Sequence, residues 1–313
     1  MTLTKPIILS ALASLLICCQ SKKEFYSQWV VQVPSDTNTI QWISFKWAND
    51  SLGGRPMQKT SIQVPVRLKG MSQDFVLQFD TGADLTGIKE NTLRSVWQLQ
   101  KQDASNLRQK GNASFLQDFE FYAGNYTFRN EHAFVFEKYG QMMQNLKDTI
   151  SLGTIGADIL QDKVLIIDYP NQKLAIAAGI PKEYNVKTIP IEMDKNGRPL
   201  LPIQVGRKKL NILFDTGASI FPLLVKEETI SEYSNSPVDD SLKVRSWGKF
   251  HYVKRRKMDI PFLLGGKEFK NQKVYSSANG QGVDPNSDGV TGNALFLDHT
   301  VIVDFKNKKF GIK

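Results

Sequence analysis

One pattern of residues occurs twice in this 313-residue chain, and the repeat constrains the fold more than any other feature. Phe79-Asp80-Thr81-Gly82-Ala83 reappears as Phe214-Asp215-Thr216-Gly217-Ala218. Each copy closes a strand-like apolar run, residues 75–78 and 210–213. A strand ending in a glycine turn precedes each, at 64–70 and 201–206. Hairpin patterns with small or glycine turns follow, at 119–128 and 260–269. Gly156 comes 76 residues after Asp80, and Gly292 comes 77 after Asp215. Asp168 and Asp304 follow their motifs by 88 and 89. Agreement to one residue over such spans marks an internal duplication.

The duplicated unit is rich in strands. Short helices are expected only at 89–93, at 225–229 and after each second glycine. The chain therefore reads as mainly β, with two like lobes joined near residues 181–188. Residues 40–45 are strand-like and are expected to add to the first lobe, with a turn at 53–56.

The motif also carries chemistry. An acid set in an apolar run is costly unless the site has a use for it. Two such acids at equivalent places in a duplication predict a paired-carboxylate site on a pseudo-two-fold axis. Carboxylates close enough to share a proton do not both ionise. One then serves as general base on a water while the other, protonated, polarises a carbonyl. Asp80 and Asp215 are the candidate catalytic pair. Gly82 and Gly217 lack a Cβ, so backbone N–H groups can close on the carboxylates. Thr81 and Thr216 are stiff and carry a hydroxyl. Asp168 and Asp304 precede turn sequences and read as structural.

Two Asp-Thr-Gly motifs in register, each with its apolar–glycine element, resemble the aspartic proteases from about Ser61 to the C-terminus. The resemblance implies a bilobal pepsin-like acid-protease fold built from two retropepsin-like β-barrel lobes. It implies peptide hydrolysis and a monomer, with no metal or cofactor. By the same resemblance, each threonine hydroxyl reaches across to the other lobe. Substrate-covering hairpins are expected around 108–115 and 245–252, which makes Gly111 and Trp247 candidate substrate-binding residues. Asp84 is a third, since the first motif continues Ala83-Asp84 as retroviral members do; a plain loop acid is the equal alternative. The alanines at 83 and 218 stand where pepsin-like relatives have serine, and they offer no hydroxyl to an ionised carboxylate. An activity optimum at mildly acidic to near-neutral pH is expected.

The N-terminus reads as a targeting segment. Lys5 precedes a short apolar run, residues 7–17, that ends in Cys18-Cys19. This resembles a bacterial lipoprotein signal, with cleavage before Cys19 and lipid attachment there; Cys18 is the alternative. The implied location is the cell envelope, lipid-anchored, on the periplasmic or surface face of the outer membrane. These are the chain's two cysteines, so the remainder has no disulfide, thiol nucleophile or cysteine metal site. The domain reading is a signal peptide at 1–18, a tether and extension at 19–55, lobe one at 56–182 and lobe two at 183–313.

Other classes fare poorly. His132, His251 and His299 form no metal or triad pattern. The net charge of +9 comes without a nucleic-acid module, and the basic run 254–257 is too short to make one. The expected partners are a peptide or protein substrate and a membrane surface, with no nucleic acid. The rival reading is a non-catalytic peptide-binding or envelope-assembly lipoprotein that keeps the fold. A third is a self-processing protease with one dedicated envelope substrate.

Overall fold

The computed structural model describes residues 28–33, 40–71, 73–101, 106–111, 113–146, 149–246 and 249–313, apart from the side chains at 245, 246, 249 and 279. The expected signal peptide, most of the tether, Cys18, Cys19 and Trp247 lie outside these residues.

Two β lobes flank a shared sheet. Both motif strands are central strands, covered on either side, which explains their near-continuous apolar sequence. In lobe one, Asp74–Phe79 pairs antiparallel with Arg55–Leu68 and parallel with Ile150–Ile155. In lobe two, Lys208–Phe214 pairs antiparallel with Pro199–Val205 and parallel with Gly289–Thr291. Each motif therefore leaves its strand between two neighbours, beside the strand that runs into Gly156 or Gly292.

The lobes differ in closure. In lobe one, Ala113–Ala123 pairs with both Arg55–Leu68 and Tyr126–Phe136, so the sheet closes into a barrel. Lobe two stays more open among its described pairings. Its matching hairpin, Phe262–Leu264 with Lys267–Phe269, has arms of three residues and does not reach round.

A six-stranded antiparallel sheet joins the lobes. At its centre Val164–Asp168 pairs with Thr300–Asp304, with Ile166 opposite Ile302. These are equivalent strands of the duplication, so the pseudo-two-fold axis passes between them. Asp168 and Asp304 accept the backbone N–H of Asn171 and Asn307 at 3.2 and 2.8 Å, and so cap equivalent turns.

Three expectations need correction. Ile43–Ser44 pairs with Lys173–Ala177 in the shared sheet and does not join lobe one's own sheet. Within the expected tether, Val30–Gln32 is a strand on Tyr126–Phe136, and Trp29 packs edge-on against Phe121 at 5.5 Å. The helix expected at 89–93 runs over Glu90–Gln100. An Arg94–Glu90 pair at 2.8 Å ties its first turns, and Leu93, Val96 and Trp97 give it an inner face of helical spacing.

The expected domain boundary after residue 55 falls at the tip of a long hairpin. Lys46–Leu52 pairs with the first half of Arg55–Leu68, turning at Gly53 and Gly54. The tip leaves lobe one and lands on lobe two. Arg55 Nη1 donates to Asp240 Oδ1 at 2.7 Å, and its Nη2 donates to the Ser241 carbonyl. Met57 packs on an apolar cluster of lobe two that includes Leu213, Phe221 and Leu242. The hairpin is thus a strap from one lobe to the other.

Candidate active site

The two motif loops meet at the pseudo-two-fold axis, where their threonines cross. Thr81 Oγ1 donates to the Phe214 carbonyl at 2.7 Å, and Thr216 Oγ1 donates to the Phe79 carbonyl at 2.9 Å. Both residues are fully buried. Each hydroxyl also accepts the other threonine's backbone N–H.

This crossing presses each carboxylate against the opposite loop. A Cβ on Gly82 would overlap the Asp215 carboxylate, and one on Gly217 would overlap that of Asp80. Glycine at both positions is therefore a steric requirement. Asp80 Oδ1 accepts from Gly82 N–H at 3.0 Å and Ala83 N–H at 3.1 Å. Asp215 Oδ1 accepts from Gly217 at 2.8 Å and Ala218 at 3.1 Å. The inner oxygens are fixed by backbone, leaving the outer oxygens toward the cleft.

Both carboxylates are surrounded by protein except along one edge open to the cleft. Burial pushes the pair upward in pKa, and for Asp80 the neighbouring Asp215 adds to the rise. The four N–H donors oppose that shift without cancelling it. The titration belongs to the pair. Arg198 adds a weaker pull toward the ionised form on the Asp215 side.

Several supporting residues carry no motif signal. Arg198 is 8% exposed and reaches across the lobes, donating from Nη1 to the Gly82 carbonyl at 3.0 Å. Asp194 and Asp284 hold its guanidinium at 2.5 and 2.6 Å. Gln78 Nε2 points at Asp80 Oδ2 from 3.4 Å. The loops are braced differently behind. Asn293 donates to the Thr216 carbonyl at 2.8 Å and accepts from Tyr169. In lobe one, Asp158 accepts both the N–H and the hydroxyl of Thr86, and burial pushes its pKa up to about 6. A single sequence offered little to find these by, except the closeness of Asp158 and Asn293 to the two repeated glycines.

The cleft above the dyad encloses about 390 Å³. Lobe one supplies Gln78, Lys89, Phe136, Tyr139 and Thr154; lobe two supplies Phe221, Leu224 and His251, among others. Of the described residues that line it, none comes from the hairpin Leu107–Lys110 with Ala113–Ala123, so Gly111 stands outside. The strap takes that place through Asp50 and Leu52. In lobe two, the hairpin Asp240–Ser246 with Lys249–Lys257 does wall the cleft, through Val244, His251 and Val253. Asp84 faces a separate cavity, which it shares with Asp158.

No protein-family model matches the chain, and no curated protein matches it. Among solved structures it is similar to a crystal structure of an aspartic proteinase from Irpex lacteus, at 13% identity. The match covers 88% of this chain and 97% of that one, with a TM-score of 0.48. The bilobal, mainly β architecture described above is consistent with a pepsin-like fold. The chemistry of the dyad follows from its own geometry.

Proposed function

We propose that the chain is an aspartic endopeptidase that hydrolyses peptide bonds with Asp80 and Asp215. The observation that carries this reading is the juxtaposition of two buried carboxylates on equivalent loops, each fixed by two backbone N–H groups and pressed against the other loop's glycine. Such a pair holds one proton between two acids. The ionised member of the pair takes a proton from a water bound between the outer oxygens. The protonated member donates to the scissile carbonyl oxygen as the water oxygen adds to carbon. The proton gained by the first carboxylate then passes to the leaving amine as the C–N bond breaks, and the second recovers its own from the collapsing diol.

Cleavage of a broad peptide library from about pH 3 to 8 tests this reading, with Asp80→Asn and Asp215→Asn as controls. Cleavage by the wild type that both variants lose supports it. No cleavage by the wild type favours the non-catalytic peptide-binding reading.

The envelope location belongs to the same proposal. The apolar run 7–17 followed by Cys18-Cys19 supports lipid anchoring at Cys19. Metabolic labelling with an alkyne fatty acid checks it: label on the wild type should be lost in Cys19→Ser. Label lost only in Cys18→Ser would move the site by one residue.

A further inference from the structure

Lys89 lines the same cleft as the dyad. It ends the short strand Gly87–Lys89 and precedes the helix Glu90–Gln100. Its ammonium donates to Ser151 Oγ at 2.9 Å and to the Ser151 carbonyl at 3.4 Å. Both acceptors are neutral, and no described carboxylate forms an ion pair with it. Neighbouring Glu90 is already engaged with Arg94 and with the Lys138 N–H. Burial alone lowers the pKa of Lys89. The side chain is half-buried in the cleft wall.

Asp50, Asp80 and Asp215 line the same cleft but form no ion pair with Lys89, and a desolvated cation without such a partner costs free energy in the unliganded protein. The duplication supplies an internal comparison. In lobe two the matching strand is Leu224–Lys226, before the helix Glu227–Ser231, and its last residue, Lys226, is exposed and lies outside the described cleft lining. Of the two lysines, the one in lobe one therefore lines the cleft. Its surroundings suit a side-chain pocket. Phe136 and Tyr139 supply apolar walls. Thr154 and Gln78, directly opposite each other on paired strands, lead back toward Asp80. A peptide lying across the dyad can direct one side chain along this path.

We propose that Lys89 is a specificity-determining residue of a lobe-one subsite that takes an acidic side chain, Asp or Glu, of the bound peptide. The proposal rests on the reading of this cleft as a peptide site. The substrate carboxylate supplies the ion-pair partner that the cleft's own acids do not, and the chain's net charge of +9 favours approach of acidic segments.

Two measurements test it. Cleavage-site profiling on an unbiased peptide library should show Asp or Glu enriched at one fixed position relative to the cut. On peptides matched as Glu/Gln pairs at that position, Lys89→Met should lose the acidic preference by about tenfold or more in kcat/KM, as expected for a charge-assisted contact. Lys89→Arg should retain it, and Lys89→Glu should shift the preference toward Lys or Arg. The second measurement needs no turnover. A random octapeptide library is selected for binding on Asp80→Asn protein and on Asp80→Asn with Lys89→Met. Acidic enrichment on the first and its loss on the second supports the subsite, even if the wild type cleaves nothing and the protease reading fails. No acidic enrichment, or equal enrichment on both proteins, overturns the subsite while leaving the dyad's chemistry to its own test.

Discussion

Thr81 N–H donates to Thr216 Oγ1 at 3.0 Å, and Thr216 N–H donates to Thr81 Oγ1 at 3.1 Å. The two residues are 135 positions apart and fully buried. Each hydroxyl is an acceptor for one lobe and a donor to it, so neither lobe's loop is satisfied alone. The dyad loops and the lobe interface are therefore one structure.

Replacing Thr81 by Val keeps the branched shape and removes the hydroxyl. The Thr216 N–H and Phe214 carbonyl are then buried without this partner, at about 1–3 kcal/mol for each such group. Thr81→Val should lower Tm by several degrees and reduce cleavage, whereas Thr81→Ser should restore most of both. Calorimetry with a peptide assay checks this. A Tm equal to that of the wild type would show that the crossing carries no stability.

The raised dyad sets the pH dependence. The active form holds one proton, and it is populated between the two macroscopic pKa values of the pair. Because burial raises both, this window moves up from the range of an ordinary carboxylate. Activity should peak at mildly acidic to near-neutral pH and fall as the second carboxylate protonates. Ala218→Ser adds a hydroxyl able to donate to ionised Asp215 and should move the acidic limb down by about 0.5–1 pH unit. A wild-type optimum well below about pH 4 would contradict the account of the alanines.

Arg198 joins stability to this titration. Its loss leaves Asp194, whose side chain is 2% exposed, without its cation. Arg198→Met should destabilise the fold by about 3–5 kcal/mol, measured by urea unfolding. It should also raise the acidic limb of the pH–rate profile, since the cation that favours Asp215 ionisation is gone. Arg198→Lys should recover the charge effect better than the stability, because one ammonium cannot serve Asp194, Asp284 and Gly82 together.

The strap is fastened by Arg55, an exposed residue, to Asp240 at 2.7 Å. An exposed pair of this kind adds less than about 1 kcal/mol. Arg55→Ala should therefore leave Tm nearly unchanged, yet speed amide hydrogen exchange across residues 46–60 and alter KM for long peptides more than for short ones. Exchange rates matching the wild type would show that Met57, packed on lobe two, holds the strap without the ion pair.

Asp158 has a pKa near 6 in the fold, against 3.8 for the ordinary group. The folded state thus binds the proton more tightly, so this residue's contribution to stability is full below the ordinary value and is lost as pH rises through about 6. Asp158→Asn should be more stable than the wild type at pH 7 relative to pH 4, by roughly 1–3 kcal/mol given its partly open edge. Tm against pH for both proteins decides it; parallel curves would rule it out.

The sequence by itself determined which acids correspond, which loops carry them and that the chain has two like β lobes. Motif, glycine spacing and strand pattern are local signals, and duplication prints each of them twice. Tertiary structure alone decided what surrounds the acids. The cover from lobe one comes from residues before the motif, at 46–60, and not from the expected 108–115, because this hairpin meets lobe two through Arg55, Met57 and the Lys59 carbonyl, each far along the chain from its partners. The arginine beneath the dyad and the lysine in its cleft are ordinary cations in the sequence. Their roles arise from burial and from partners on distant strands, Gly82 for Arg198 and Ser151 for Lys89. Two lysines hold equivalent places in the duplication, yet one lines the dyad's cleft and the other is exposed. Packing, which no local pattern encodes, separates them.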